Sequence, residues 1–229
     1  MRMLKTGYDI YQVRYYNQNC LCNNPLNMVI NIDLLLTYGA TFKEVIKGEI
    51  ICKEGDAALF YLQLVKGRLK WINIDEEGRE LIHDIIVPGE SFGETPLFDD
   101  DLYDATAVAE ENSVLIRLRL PLFKQLLNDD PLIHFAFTKL LSQKLRFKFM
   151  LVKMLANCNP ESRLITLFKY LIQHKKNICF ACNKLLLTRK QLAGMVGLRV
   201  ETVIRTIKQL EQKEMVSIDK GKVYIENMT

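Results

Sequence analysis

The residues best suited to chemistry lie near the C-terminus, in the run Thr188-Arg189-Lys190-Gln191-Leu192-Ala193-Gly194-Met195-Val196-Gly197-Leu198-Arg199-Val200-Glu201-Thr202-Val203-Ile204-Arg205. The chemistry they offer is hydrogen bonding to base edges and phosphates. Thr188 and Gln191 have the S/T-x-x-Q spacing of a capping box, which predicts a helix start. Ala193 and Gly197 are small residues four apart, so two helices can meet steeply with Gly197 in the turn between them. A second helix is expected from about Val200 to Gln212. Val203, Ile207 and Leu210 recur at i, i+4, i+7 and should face a core. Glu201, Arg205, Lys208 and Gln212 share the opposite, polar face. An Arg can fork onto guanine O6 and N7, and a Glu can accept from a cytosine amino group. Ile204, beside them, can press on a thymine methyl. Arg199 falls at an N-cap position without a capping oxygen, so it is read as a phosphate contact. Thr202, Lys208, Lys220 and Lys222 are further phosphate candidates. A solvated Glu-Arg pair would show the same i,i+4 spacing. The capping box, the Ala-x-x-x-Gly spacing and the surrounding positive charge favour a DNA reader.

The rest of the 229-residue chain must position and control that reader, and its length allows two modest domains. Formal net charge is only +4. Its distribution is uneven: Cys158 to Thr229 holds 13 basic and 6 acidic residues, whereas Met1 to Lys124 holds 13 basic and 19 acidic ones. An acidic half joined to a basic half suggests that only the C-terminal part meets a polyanion. No signal peptide or membrane-spanning apolar run is visible, so a cytoplasmic protein with reduced thiols and no membrane partner is expected.

Between about Leu26 and Leu120, glycines at 48, 55, 67, 78 and 89 punctuate short runs rich in β-formers. These runs are Glu49-Ile50-Ile51-Cys52, Phe60 to Val65, Leu69 to Ile74, Leu81 to Ile86 and, last, Ser113 to Leu118. Short strands at this spacing predict a small antiparallel barrel or jelly roll. From about Asp130 the pattern becomes a long helix. Thr138, Leu141, Leu145, Lys148, Val152 and Leu155 form a heptad seam. Phe137, Leu140, Lys144, Phe147, Leu151 and Met154 form a second stripe beside it. A helix apolar on two sides must be covered on two sides. One side is assigned to the barrel and the seam to a second copy of the chain, with Lys148 as a register device or a contact for an anionic effector. Asn159-Pro160 then opens another helix, with Leu164, Leu167, Phe168, Leu171 and Ile172 as its buried stripe. A hairpin turning at Asp219-Lys220-Gly221 follows the reader as a wing. The expected fold class is therefore α+β. Residues 1–25 form an arm of unknown role, 26–125 a sensor β-roll, 126–157 a dimerisation helix and 158–229 a winged helix-turn-helix.

That order of elements resembles the family of the cyclic-AMP receptor protein and the fumarate-nitrate reduction regulator. In the sensor the resemblance rests on Gly48-Glu49, Lys53-Glu54-Gly55-Asp56, Val65-Lys66-Gly67, Asp75-Glu76-Glu77-Gly78-Arg79-Glu80 and Pro88-Gly89-Glu90-Ser91-Phe92-Gly93-Glu94. In the reader it rests on Leu187 to Ala193 and Val200 to Arg205. The resemblance implies a cyclic-nucleotide-binding-like roll and a homodimeric bacterial transcription regulator reading palindromic duplex DNA, with RNA polymerase as a partner and a small-molecule effector. It also implies that Glu201 and Arg205 read bases. Val200, where the cyclic-AMP receptor has Arg, implies a TTG-type half-site.

The departures bear on the effector. In cyclic-nucleotide-binding relatives, Gly-Glu is followed by an Arg-Ser or Arg-Thr pair that holds the cyclic phosphate. Here Gly93-Glu94 is present, but the matching pair is Asp104-Ala105, and a carboxylate repels phosphate. The adenine-contacting polar pair of the long helix aligns with Lys148-Phe149. Gly93, Glu94, Asp104, Ala105 and Lys148 thus outline a degenerate effector pocket, and an effector other than cyclic AMP is expected. No cofactor or metal is expected. An iron-sulfur cluster would need four thiolates, while Cys20, Cys22 and Cys52 supply three at most. Cys179-x-x-Cys182 lacks a second pair for a structural zinc. Haem, with His83 or His134 as a ligand, and redox sensing stay open as alternatives. So does a metabolite- or partner-binding module that does not act through DNA. An enzyme is not expected, because none of His83, His134 and His174 sits in a nucleophile or metal motif.

Overall fold

A computed structural model describes residues 30–157, 159–179 and 181–226. The N-terminal arm 1–25, Cys20, Cys22 and Cys158 lie outside the described residues. Eight strands build the roll: β1 Thr41–Val45, β2 Ile50–Cys52, β3 Phe60–Lys66, β4 Leu69–Ile74, β5 Glu80–Ile86, β6 Ser91–Phe92, β7 Thr106–Ala109 and β8 Ser113–Arg119. They form two four-stranded antiparallel sheets, ordered β1-β8-β3-β6 and β2-β7-β4-β5. Tyr61, Leu64, Leu69, Phe92, Ala107, Leu115 and Leu118 fill the space between them. The five apolar runs of the sequence are all strands. β1, β6 and β7 lie outside those runs, and each is five residues or shorter, too short to show alternation. Gly67 turns β3 into β4 at φ 101°, and a Cβ there would lie 2.0 Å from Ser113 Oγ. Only glycine fits.

Three helices belong to the roll: α1 Ile32–Thr37, α2 Pro96–Asp99 and α3 Leu120–Asp129. The long helix, α4, runs Pro131–Asn157. The long helix expected from about Asp130 thus starts at Pro131, inside the range 126–157. Asp130 is extended (φ −128°, ψ 90°), and its N–H closes α3 on the Leu126 carbonyl. Its carboxylate accepts from the N–H groups of Leu132 and Ile133, which starts α4.

On α4 the second stripe turns inward. Phe137, Phe147, Leu151 and Met154 are buried, and Leu140 and Lys144 are half-buried. The expected seam residues divide between two faces. Leu145 and Val152 are exposed, at 55% and 64%, but Leu141, Lys148 and Leu155 are half-buried on the flank toward the chain's own body. Phe149, 64% exposed, lies on the open face with them. The uncovered stripe is Phe135, Thr138, Ser142, Leu145, Phe149, Val152 and Ala156, again in alternating steps of three and four. Neighbouring positions on a helix differ by about 100°, so a ladder read one residue early points to the flank.

The C-terminal part comprises α5 Pro160–Gln173, α6 Arg189–Val196, α7 Val200–Gln212 and the hairpin β9 Val216–Asp219 with β10 Lys222–Ile225. Asn159 caps α5 by accepting from the Ser162 N–H. Leu164, Phe168, Leu192, Val196, Val203, Ile207, Leu210 and Val223 share one core with Phe147, Leu151 and Met154 of α4 and Ile72, Ile82 and Ile85 of the roll. The reader is thus packed on its own sensor.

Candidate nucleic-acid interface and sensor pocket

Local chemistry sets the reader's shape. Thr188 Oγ1 accepts from the Gln191 N–H, and Gln191 Oε1 accepts from the Thr188 N–H, so the capping box is closed both ways. Gly197 ends α6 in the left-handed region (φ 63°, ψ 43°), which lets α7 start three residues later. A Cβ on Gly197 would sit 3.0 Å from Leu155 Cδ2, so the turn also presses on α4. Arg199 is the N-cap of α7 and makes no side-chain cap bond.

Along α7, Val203, Ile207 and Leu210 are buried, while Glu201, Arg205, Lys208 and Gln212 are exposed on one concave face with Ile204. Val200 and Thr202 are half-buried. No ion pair joins Glu201 to Arg205 among the described residues. The wing turns at Lys220 and Gly221, both at positive φ, as a two-residue hairpin loop requires. Lys220 and Lys222 are exposed at its tip. Arg199, Arg205, Lys208, Lys220 and Lys222 therefore stand in solvent with no carboxylate bonded to them among the described residues.

The roll residues expected to outline an effector site are differently placed. Glu94 is buried, and Lys144 Nζ donates to both its oxygens, at 2.7 and 2.8 Å, and to the Ser91 carbonyl at 3.1 Å. The Ser91 hydroxyl donates to it as well. Sequence reasoning placed Lys144 on the inward stripe but missed its role. The available signal was a lysine interrupting an apolar ladder. Gly93 lies under the Tyr103 ring, where a Cβ would come within 2.7 Å of Cε1, and Trp71 packs edge-on against Tyr103. Asp104 is exposed, accepting from the Thr95 hydroxyl at 3.1 Å, and Ala105 is buried. Lys148 faces the roll, not the open face of α4. Burial lowers its pKa, Asp84 and Asp104 pull it back up, and it makes no hydrogen bond among the described residues.

His83 hydrogen-bonds the Asn73 side chain. Burial first, and Lys148 second, hold its imidazole down to about pKa 4. An unfolded imidazole titrates near 6.5. The folded state therefore resists the proton, and His83 lowers stability as pH falls from about 6.5 through 4. The expected result is a thermal midpoint that drops across this window less steeply in His83→Gln than in the native chain. Equal slopes would show that His83 does not contribute. The Cys52 thiol is buried, which pushes it up to about 12. Cys179 is buried and Cys182 exposed.

Residues 42–130 match the cyclic nucleotide-binding domain family, and residues 162–229 match the Crp-like helix-turn-helix domain family. The transcriptional activator protein Anr of Pseudomonas aeruginosa is 23% identical over 207 residues, covering 88% of this chain and 83% of that protein. The cAMP-activated global transcriptional regulator CRP of Haemophilus influenzae is 27% identical over 187 residues, covering 81% and 83%. Among solved structures, FixK2 of Bradyrhizobium japonicum shares the fold with a TM-score of 0.71 at 20% identity, over 82% of this chain and 93% of that one. The c-di-GMP responsive regulator CLP of Xanthomonas campestris shares it with a TM-score of 0.69 at 21% identity, over 86% and 98%.

Proposed function

Given that the chain belongs to the CRP/FNR family of DNA-binding transcription regulators, which are not enzymes, we propose that it works as a cytoplasmic homodimer. In this reading it grips a palindromic duplex site, and its roll answers an effector other than cyclic AMP. The dimer uses the uncovered stripe of α4, from Phe135 to Ala156. Glu201 and Arg205 read base edges with Val200 and Ile204 beside them, while Arg199, Thr202, Lys208, Lys220 and Lys222 meet phosphates. The residue ranges set out from the sequence serve as its domains, with the helix start moved to Pro131. RNA polymerase and a small-molecule effector are the further partners, as the family implies.

The observation that carries the effector part is the Lys144–Glu94 pair. Lys144, bonding both oxygens, and the Ser91 hydroxyl take three of the roughly four lone-pair sites of the Glu94 carboxylate, which leaves it little capacity for a ribose hydroxyl. Asp104 adds a negative charge where a cyclic phosphate needs a positive one. Titration calorimetry with cyclic AMP and cyclic GMP is expected to give no binding at micromolar concentration. Micromolar affinity for either nucleotide would end this part of the proposal.

A further inference from the structure

The sensor and the reader of one chain are joined by a polar relay that the base-reading assignment does not use. Its centre is Glu110, the residue after β7. Arg68, the residue before β4, donates to Glu110 from Nε at 3.2 Å. Gln191 Nε2 donates to both Glu110 oxygens at 2.8 Å. The same Gln191 closes the capping box of α6, so a sensor carboxylate holds the side chain that starts the reader's first helix. The Arg68 guanidinium reaches further into the reader, to Asn177 Oδ1 at 2.9 Å and the Leu186 carbonyl at 3.3 Å. A second clasp lies nearby, where Lys176 pairs with Asp84 at 2.8 Å and Glu90 at 2.9 Å.

Packing fixes how closely the two parts meet. A Cβ on Gly194 of α6 would come within 2.7 Å of Ile82 Cγ1 and 3.1 Å of the Glu80 carbonyl oxygen. The relay and this contact engage α6 and the linker before it. They leave the exposed face of α7 uncovered.

Two features make the contact easy to shift. Asn177 is buried at φ 53°, and its Nδ2 has no hydrogen-bond partner among the described residues. A buried unpaired donor and a left-handed asparagine both weigh against the closed state. The relay is also wired to the effector pocket. β7 runs from beside Asp104-Ala105 to Glu110, paired along its length with β4 in the register Leu69 to Ala109 and Ile72 to Thr106. The Glu110 N–H donates to the Arg68 carbonyl at 2.9 Å, which ties the ends of the two strands together.

We infer that Glu110 and Arg68 are positioning residues for DNA reading. Acting through Gln191 and Asn177, they hold the reader on the sensor in the pose that presents α7, and β7 links this latch to the effector pocket. The inference rests on the reading that α7 enters DNA. It differs from it in assigning function to residues that touch neither base nor phosphate.

The test uses the full chain and an operator duplex selected from random DNA. Glu110→Ala and Arg68→Ala are each expected to weaken operator binding by about tenfold or more, the factor that ~1.4 kcal/mol represents. The dependence of log K on log salt should stay unchanged in Glu110→Ala, since no phosphate contact is lost. Self-association should not change, and amide exchange should rise across 189–196 but not in β3 or β8. Glu110→Gln, which keeps an acceptor oxygen, should recover part of the loss. It also serves, with Arg68→Lys, if the alanine variants do not fold. Native affinity in these variants overturns the inference. So does tighter binding, because the latch would then restrain the reader from DNA. Arg205→Ala, run in parallel, separates the two claims. If it leaves base preference intact while Glu110→Ala still weakens binding, base reading by Arg205 fails and the latch stands.

Discussion

Phe149→Asp is expected to leave the protein monomeric at micromolar concentration and to abolish its high-affinity binding to palindromic DNA. Phe149, Leu145 and Val152 stand on the open face of α4 with more than half of each side chain in solvent. Phe135 continues the stripe toward the helix start. Apolar side chains spaced by three and four along one helix face are the pattern of a helix–helix seam. In a two-fold dimer each residue meets the seam twice, so one substitution acts on two copies. Truncating a buried Leu costs about 2–5 kcal/mol and a Phe about 3–5 kcal/mol. A carboxylate in the desolvated seam costs more, even with Arg146 and Lys153 a turn away on either side of it. Leu145→Ala is the milder variant and should weaken association without removing it. Lys148→Leu is the control: Lys148 faces Asp84 and Asp104 of its own roll, so its removal should leave association alone. Sedimentation velocity reads all three. A Phe149→Asp protein that remains dimeric would show that this face is not the seam.

The sequence displayed the reader in detail because chemistry marks its boundaries. Thr188 with Gln191 begins α6, a left-handed Gly197 ends it, and Asp219-Lys220-Gly221 turns the wing. Each signal is local, with its partners within four residues. The roll was legible as a class through its glycine spacing, but β1, β6 and β7, at five residues or fewer, are too short to declare a face. The start of α4 was legible at Asp130-Pro131, where one residue, Asp130, both ends α3 and caps the next helix. The phase of the seam was open for a different reason. Heptad ladders through Lys148 and through Phe149 both read as apolar stripes, and only the packing of α4 on the roll decides which is covered. The Lys144–Glu94 pair spans 50 positions and the Glu110–Gln191 bond 81. No local pattern encodes such contacts, so the sequence displayed Asp104-Ala105 in the roll but neither of these long-range bonds.

Arg205→Ala is expected to lower affinity for the selected operator by about 1–3 kcal/mol and to relax the preference for a G·C pair in each half-site. The guanidinium is exposed on the concave face of α7, one turn beyond Glu201, and the two form no ion pair. Its five donors are therefore available to the O6 and N7 of a guanine as a planar fork, which a lysine could not reproduce. Glu201, nearer the helix start, can accept from the amino group of a cytosine. Val200 is half-buried against the core, so it carries no polar group to the next base pair. Ile204 offers an apolar surface to a thymine methyl. Together these favour a T-rich half-site with one decisive G·C pair, of the TTG type. Lys208, one turn before the end of α7, should act differently. Lys208→Ala is expected to weaken all duplexes alike and to lower the salt slope by about one, because a phosphate contact releases counterions whatever the sequence. Selection from random DNA with the native chain and both variants, followed by anisotropy titrations at several salt concentrations, measures each effect. Enriched sites without an inverted repeat, or an Arg205→Ala protein that keeps its G·C preference, would contradict the assignment. A Lys208→Ala protein with altered base preference would move Lys208 from the phosphate backbone to the bases.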